Sequence, residues 1–407
     1  MKTADSVKRY RAVKDERARL GQVMTPPPLA DAVVRLLGVR GGSWLELGSG
    51  SGRLAEAVRN GADPHSYVGV ELESAMIGLC PSWLGFRYVQ QDVLATSSLA
   101  KALEQQMFDS VIGNPPYGMQ GFSVEAKARL QSLCPELNLQ GSWAPVDLYF
   151  VLESLSRLKS NGAAAFIVGA DIPRGLQSMP FRRLLLETAS EVECYELPQF
   201  AFGRAYAEVQ AYVLIARYGR GSLTHVTLGR MDEAFGLSAL RKIAPSRAIQ
   251  SMDLGHHEFQ EMDEVLRRSS DGITLKDLGV SIVRGSRTRS QFAQLGIQHF
   301  HTSDFPKSGM EISLEGPAGA GYQQAIVGDI LLPRVGTRCL EHKAVVVEGQ
   351  SPFSEAVFRL RAPSKHQERL VRWMTSRECT SWRRAAARGA CAKHLTVGTL
   401  LSMPVPV

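Results

Sequence analysis

The sequence predicts an α/β protein: a doubly wound, largely parallel sheet covered by helices, followed by a C-terminal domain of mixed α+β character. Three observations predict it. From Gly42 onward, short apolar runs alternate with amphipathic stretches, the pattern left by parallel strands and their crossover helices. One such run, Ser43 to Leu47, feeds directly into Gly48-Ser49-Gly50-Ser51-Gly52, a turn whose backbone suits glycine. Charge then divides the chain: residues 1–271 hold 29 Lys and Arg against 30 Asp and Glu, and residues 272–407 hold 18 against 10, so a net −1 precedes a net +8.

Taken in order, the expected strands are Ser43 to Leu47, Tyr67 to Glu71, Phe86 to Gln90, Ser110 to Ile112, Ala163 to Val168, Val192 to Leu197 and Ala211 to Ala216. Between them Arg53 to Arg59, Ser74 to Leu79 and Leu148 to Leu158 read as helices, and the core ends near Arg217. Gly219 to Asp271 reads as a polar connector with a helical stretch at Glu261 to Arg268, closed by the Ser269 to Gly272 break. Beyond it, Val280 to Val283 and Ala344 to Val347 look like strands and Lys365 to Met374 like a helix. At 407 residues the chain exceeds one ordinary core. The expected parts are a basic N-terminal segment (1–20), a catalytic domain (21–245) and a recognition domain (246–407).

Composition narrows the function. With 44% hydrophobic and 21% charged residues and no apolar run long enough to span a bilayer, a soluble protein is expected, and the charged stretch Met1 to Leu20 is not signal-like. A cytoplasmic location without membrane attachment follows as an expectation. The six cysteines form no CxxC pair, which points away from zinc, other metals and a disulfide framework. The basic last third is what attraction to a phosphate backbone requires.

Two motifs carry chemistry. The glycine turn sits between a strand and a helix, where free N–H groups and close backbone approach favour a nucleotide-like ligand. Glu71 closes the next strand, where an acid hydrogen-bonds ribose hydroxyls, and Asp92 follows the third, where it can accept from an adenine amine. The GxGxxG spacing of a dinucleotide binder is absent, so an adenosine with a short tail fits better.

The second motif is Asn114-Pro115-Pro116-Tyr117 at the end of the fourth strand. Two consecutive prolines stiffen the turn and remove its N–H donors, leaving carbonyl oxygens outward. An amine on an aromatic ring is a poor nucleophile because its lone pair is delocalised. The Asn114 side-chain oxygen and the Pro115 carbonyl can accept its two hydrogens and favour a pyramidal nitrogen, catalysis by positioning and electrostatics. Tyr117 offers a face for an extruded base to stack on, and Phe202, with Phe200 as its rival, is the candidate for the opposite face.

With Gly21-Gln22-Val23-Met24-Thr25-Pro26-Pro27 ahead of the glycine turn, these motifs resemble the amino-methyltransferases of restriction–modification systems, in the gamma-type, M.TaqI-like order of the adenine-N6 group. The resemblance covers about residues 20–217 and, more loosely, Gly328 to Leu332 and His394 to Pro406, which look like recognition segments of type I specificity subunits. It implies a Rossmann-like core that binds S-adenosyl-L-methionine. Thr25, Pro26 and Glu46 would lie at the methionine end, Gly48 and Gly50 in the cofactor loop, Glu71 on ribose and Asp92 on adenine. Asn114, Pro115, Pro116 and Tyr117 would hold a flipped adenine of double-stranded DNA, and Asp147-Leu148-Tyr149-Phe150 would pack beside the cofactor.

The expected DNA contacts are Arg284, Arg287, Arg289, Arg334 and Arg338; a further run of Arg369, Arg372, Arg377, Arg383, Arg384, Arg388 and Lys393 reads as phosphate contacts or plain surface. A monomer acting on duplex DNA is expected, and any cognate restriction endonuclease is expected on a separate chain, since only about 20 residues precede Gly21. Asp329, Glu341 and Lys343 spell a loose nuclease-like pattern that is read as structural. The same Asn-Pro-Pro-Tyr turn also serves enzymes acting on protein glutamine or RNA adenine. A non-catalytic specificity module is the alternative of a different class, and cytosine N4 enzymes usually place Ser where Asn114 stands.

Overall fold

The computed structural model describes residues 23–406, except 140, 142, 204–209, 318–320, 337–339 and 388–393. The N-terminal segment 1–20, together with Gly21, Arg338, Arg388 and Lys393, lies outside the described residues. The chain divides into two compact units between Leu254 and Gly255, against an expected boundary at 245/246.

In the first unit the helix Pro27–Leu37 starts at Pro26 and Pro27, where a fixed φ and a missing N–H cost nothing. It buries Leu29, Ala30, Val33, Val34 and Leu37 and stops at Gly38, whose left-handed φ of 68° returns its N–H to the Val34 carbonyl. Strands β1 (Ser43–Leu47), β2 (Ser66–Glu71), β3 (Phe86–Gln90) and β4 (Phe108–Gly113) follow, each parallel to its neighbours among them. A small ribbon of β5 (Met119–Gly121) and β6 (Trp143–Pro145) stands apart. Then come β7 (Leu158–Gly169), β8 (Glu191–Glu196), β9 (Ala211–Arg217), β10 (Val226–Met231) and β11 (Leu237–Ile243), completing a nine-stranded sheet in the order 11-10-8-9-7-4-1-2-3.

Alternation along the strands divides the core between two faces. Trp44, Ile112, Ala163, Ala165, Ile167 and Val213 face the helices Pro27–Leu37 and Arg53–Ala62. Leu45, Leu47, Val111, Ala164, Phe166 and Leu214 face the helices Val146–Leu155 and Met179–Thr188. This is the doubly wound arrangement the sequence predicts, with two differences. The sheet is only mostly parallel: β9 is antiparallel to both β7 and β8, and β11 to β10. Successive strands that pair directly need no crossover when antiparallel. The stretch after Arg217, expected as a connector, supplies β10 and β11; β11 is an edge strand whose side chains are mostly exposed, so it lacks an apolar alternation.

The second unit opens one residue into the helix Leu254–Ser269 and builds a six-stranded mixed sheet from β12 (Ser281–Arg284), β13 (Glu311–Glu315), β14 (Gln324–Ile326), β15 (Ile330–Pro333), β16 (Ala344–Pro352) and β17 (Val357–Arg361). One core joins Ile330, Leu332, Phe358 and Leu360 to the helices Gln367–Thr375 and Arg377–Ala386, and Leu331, Ala344, Val346 and Val357 turn to the other face.

Candidate active site

The sheet order fixes where a ligand can sit. From β1 the chain moves outward to β2 and β3, and from β4 it moves the other way to β7, so the carboxyl ends of β1 and β4 meet at a topological switch point. Gly48 follows β1 and Asn114 follows β4. A cleft opens there, lined among others by Val23, Met24, Gly48, Gly50, Glu71, Asp92, Asn114 and Phe150.

The glycine turn is built as the sequence implies. Gly48, Gly50 and Gly52 take φ values of 78°, 54° and 77°, the left-handed region that penalises any side chain. A Cβ on Gly52 would lie 2.7 Å from Pro81 Cδ. Glu71, buried at the end of β2, braces the turn: Oε2 accepts from the Gly50 N–H at 2.8 Å and Oε1 from the Glu73 N–H at 3.0 Å. A carboxylate oxygen so engaged keeps a second lone pair for a ligand hydroxyl. Asp92 is exposed at the rim and accepts from the Leu94 N–H at 2.9 Å. Phe150 closes the floor, 3.2 Å from where a Cβ on Gly48 would stand. Leu72, Met76 and Val93 supply apolar wall that no motif announced.

Glu46 does not reach the cleft lining; it is buried and accepts a hydrogen bond from the Tyr67 hydroxyl. Burial raises its pKa well above the usual carboxylate range, the Tyr67 bond opposing.

Three hydrogen bonds hold the Asn114 side chain. Its Nδ2 donates to the Val23 carbonyl and to Thr25 Oγ1, both at 2.9 Å, while its Oδ1 accepts from the Tyr117 hydroxyl at 2.6 Å. Thr25 is buried against Asn114 and is not part of the cleft lining, and Pro26 starts the following helix, its carbonyl accepting from the Leu29 and Ala30 N–H groups. Pro115 is buried, and Pro116 lines the cleft. The Tyr117 and Phe202 rings lie 6.3 Å apart, tilted by 60°, so they touch without forming a parallel slot; Phe200 is 41% exposed on the same loop as Phe202. The Val23 carbonyl was not foreseen, because a main-chain oxygen has no signature in the sequence.

Behind Tyr117 stands Asp147, 3% exposed at the start of the helix Val146–Leu155. Its Oδ1 accepts from the Leu148 N–H at 3.0 Å. A Cβ on Gly169 would lie 3.3 Å from Asp147 Oδ2 and 3.7 Å from Tyr117 Cδ1, so both side chains pack over that glycine. Burial pushes the Asp147 carboxyl up to about 7, with the Leu148 amide opposing and the Asp171 charge adding. The Tyr117 phenol, raised by burial and by the Asp147 charge, stays a protonated donor.

In the second unit the structure sorts the arginines. Arg383 is fully buried and donates to the His342 carbonyl at 3.1 Å; Arg361 forks onto both oxygens of buried Asp329 at 2.6 Å; Arg369 ties down the Val405 carbonyl at 2.8 Å. Arg372 pairs with Glu368, Arg384 with Glu341, and Arg334 Nε donates to the Glu355 carbonyl at 2.7 Å. Arg284, Arg289 and Arg377 are exposed, and with half-buried Arg287 they have no ion-pair partner among the described residues; Arg287 lies 5.4 Å from the centre of the Tyr322 ring. The nuclease-like residues are all engaged structurally: Asp329 with Arg361, Glu341 with Arg384, and Lys343 with the Thr375 carbonyl and Thr380 hydroxyl.

Among the described residues no helix is long and apolar enough to cross a membrane. Residues 9–221 match the profile of the family described as N-6 DNA Methylase. The type II methyltransferase M.TthHB8I of Thermus thermophilus is 29% identical over 225 residues, covering 53% of this chain and 49% of that protein, so the chain spans about half the length of this curated relative. The methyltransferase subunit of a type I restriction–modification system from Streptococcus thermophilus superposes with a TM-score of 0.44 at 23% identity, over 56% of this chain and 52% of the other. The type IIG restriction endonuclease BpuSI gives a TM-score of 0.49 at 13% identity, over 97% of this chain and 60% of the other.

Proposed function

The chain belongs to the N-6 DNA Methylase family, and from that premise we infer that it transfers a methyl group from S-adenosylmethionine to the exocyclic N6 of an adenine in DNA. The observation that carries the reading is Asn114, placed at the switch point beside the glycine turn with its amide held on both sides.

The first-unit cleft fits the cofactor. The left-handed glycines leave the loop without side chains, buried Glu71 offers lone pairs to ribose hydroxyls, and Asp92 stands one strand further for an adenine amine. Leu72, Val93 and Phe150 offer apolar surface for a flat ring. When bound, S-adenosylmethionine supplies an electrophilic methyl on sulfur.

The chain's own residues prepare the acceptor. Asn114 Oδ1 uses one lone pair for the Tyr117 hydroxyl and keeps the other for an amine hydrogen, and the Pro115 carbonyl accepts the second hydrogen. Holding both hydrogens draws the nitrogen toward a pyramidal geometry and frees its lone pair, a gain from preorganised dipoles rather than from a strong base. Tyr117 and Phe202 flank an extruded base once their rings become parallel. The second unit reads the duplex, with Arg284, Arg287 and Arg289 as the contacts that remain uncommitted to internal ion pairs. The chain acts as a monomer on one strand at a time.

The test is to incubate the protein with tritiated S-adenosylmethionine and unmethylated genomic DNA, then digest to nucleosides. Label in N6-methyl-2′-deoxyadenosine supports the reading. Cofactor binding without label in DNA refutes it and turns the search to RNA or protein acceptors.

A further inference from the structure

We propose that Thr25 is a positioning residue for methyl transfer, whose hydroxyl, together with the Val23 carbonyl, locks the Asn114 amide with its oxygen turned toward the acceptor base. The proposal rests on the function inferred above and deepens it.

A side-chain amide can flip by 180° about its last bond at little steric cost, exchanging an acceptor for a donor. For Asn114 the two orientations differ sharply in chemistry. As placed, both Nδ2 hydrogens are used, on the Val23 carbonyl and on Thr25 Oγ1 at 2.9 Å each, and Oδ1 receives the Tyr117 hydroxyl. The flip would set Oδ1 against the Val23 carbonyl, two acceptors facing each other without a proton, and would offer the amine of a base a donor instead of an acceptor. Val23 therefore determines which way the amide points, because a carbonyl can only accept. The hydroxyls of Thr25 and Tyr117 can each serve either orientation, so their part is to hold the amide still. Of the two, Thr25 grips the half of the amide turned away from the base.

The local backbone is built for this. Pro26 is restricted in φ, and its carbonyl caps the helix Pro27–Leu37, whose apolar face is part of the core. The position of Thr25 is thereby referred to the sheet rather than to a free loop. Thr25 is buried and stands outside the cleft lining, whereas its neighbours Val23 and Met24 line it. That geometry assigns Thr25 to Asn114, where the family resemblance assigns it to the methionine end of the cofactor.

The test compares wild type with T25V, which keeps the shape without the hydroxyl, and T25S, which keeps the hydroxyl. The rate of tritium transfer from saturating S-adenosylmethionine into unmethylated genomic DNA is measured, together with the cofactor dissociation constant by calorimetry. Losing one neutral hydrogen bond to the amide predicts a fall in kcat of about tenfold for T25V, an unchanged cofactor dissociation constant, and near-wild-type kcat for T25S. Where T25V fails to fold, T25A gives the same reading. Equal losses in kcat and cofactor affinity would place Thr25 on the cofactor and overturn the proposal, as would a T25S rate as low as that of T25V, or a T25V rate equal to wild type. If wild type itself labels no adenine, the parent function falls and this proposal with it; labelled adenine with T25V unaffected overturns this proposal alone.

Discussion

Replacing Asp147 by asparagine should remove a pH dependence of stability whose size follows from burial. The carboxyl is 3% exposed, and its pKa is lifted from the ordinary 3.8 to about 7, chiefly by loss of hydration. The folded state thus holds this proton more tightly than the unfolded chain. The resulting stability is fully present below about 3.8, shrinks as pH rises toward 7 and is absent above it. The whole span corresponds to about 4 kcal/mol, of which about 3 kcal/mol falls between about pH 5 and pH 8.5, where the unfolded aspartate is already ionised. The asparagine side chain would keep an acceptor for the Leu148 N–H but has nothing to titrate. Urea titrations of both proteins at the two pH values, read through hydrogen exchange of the β7 amides so that only the first unit is reported, give the double difference. Relative to the variant, the wild type should lose about 3 kcal/mol on going to the higher pH, on the order of 1 M urea in midpoint. A gap between the two proteins that does not change with pH would refute the argument that burial, and not the nearby amides, governs this group.

Other perturbations separate the parts of the site. Asn114→Ala should abolish methyl transfer while leaving the cofactor dissociation constant nearly unchanged in calorimetry. Gly52→Ala forces a left-handed side chain against Pro81 and should cost about 1–3 kcal/mol of first-unit stability and weaken cofactor binding, seen in the same two assays. Arg361→Ala strands buried Asp329 without its cation and should cost about 3 kcal/mol of second-unit stability in urea. Arg287→Ala should instead leave the urea midpoint alone and weaken DNA binding, reducing by about one the slope of log affinity against log salt concentration.

The sheet of the first unit was legible from β1 to β9 because each strand is a short apolar run set off by turn residues, and the site followed because its residues stand at strand ends. What was not legible lacked that contrast. β11 is mostly exposed and shows no clean apolar alternation, and β13, β14, β15 and β17 are only three to five residues each, too short to show a period. The Val23 carbonyl holds Asn114 through the backbone, which any residue type supplies. Glu46 is a ligand residue only by the family resemblance, and strand alternation turns it toward Tyr67. For the arginine run from Arg369 to Arg384 the sequence leaves phosphate contact and plain surface both open, because it counts charges and not their partners, and Arg383 in particular is spent inside the core on carbonyls of 341 and 342.

The position of β9 also bears on how the chain reaches its native state during synthesis. Among the described residues β8 bonds only to β9 and β10, and β9 alone joins that outer group to β7, through a ladder running from Ala163 opposite Arg217 to Gly169 opposite Ala211. A nascent chain that has emerged only as far as Glu196 therefore exposes one whole edge of β7 and has nowhere to place β8. The sheet closes only when the segment ending at Arg217 inserts between two strands already made, and its far edge only after Ile243. Folding of this unit waits on its last strands, and the interval before they arrive is when its open edge is exposed to other chains.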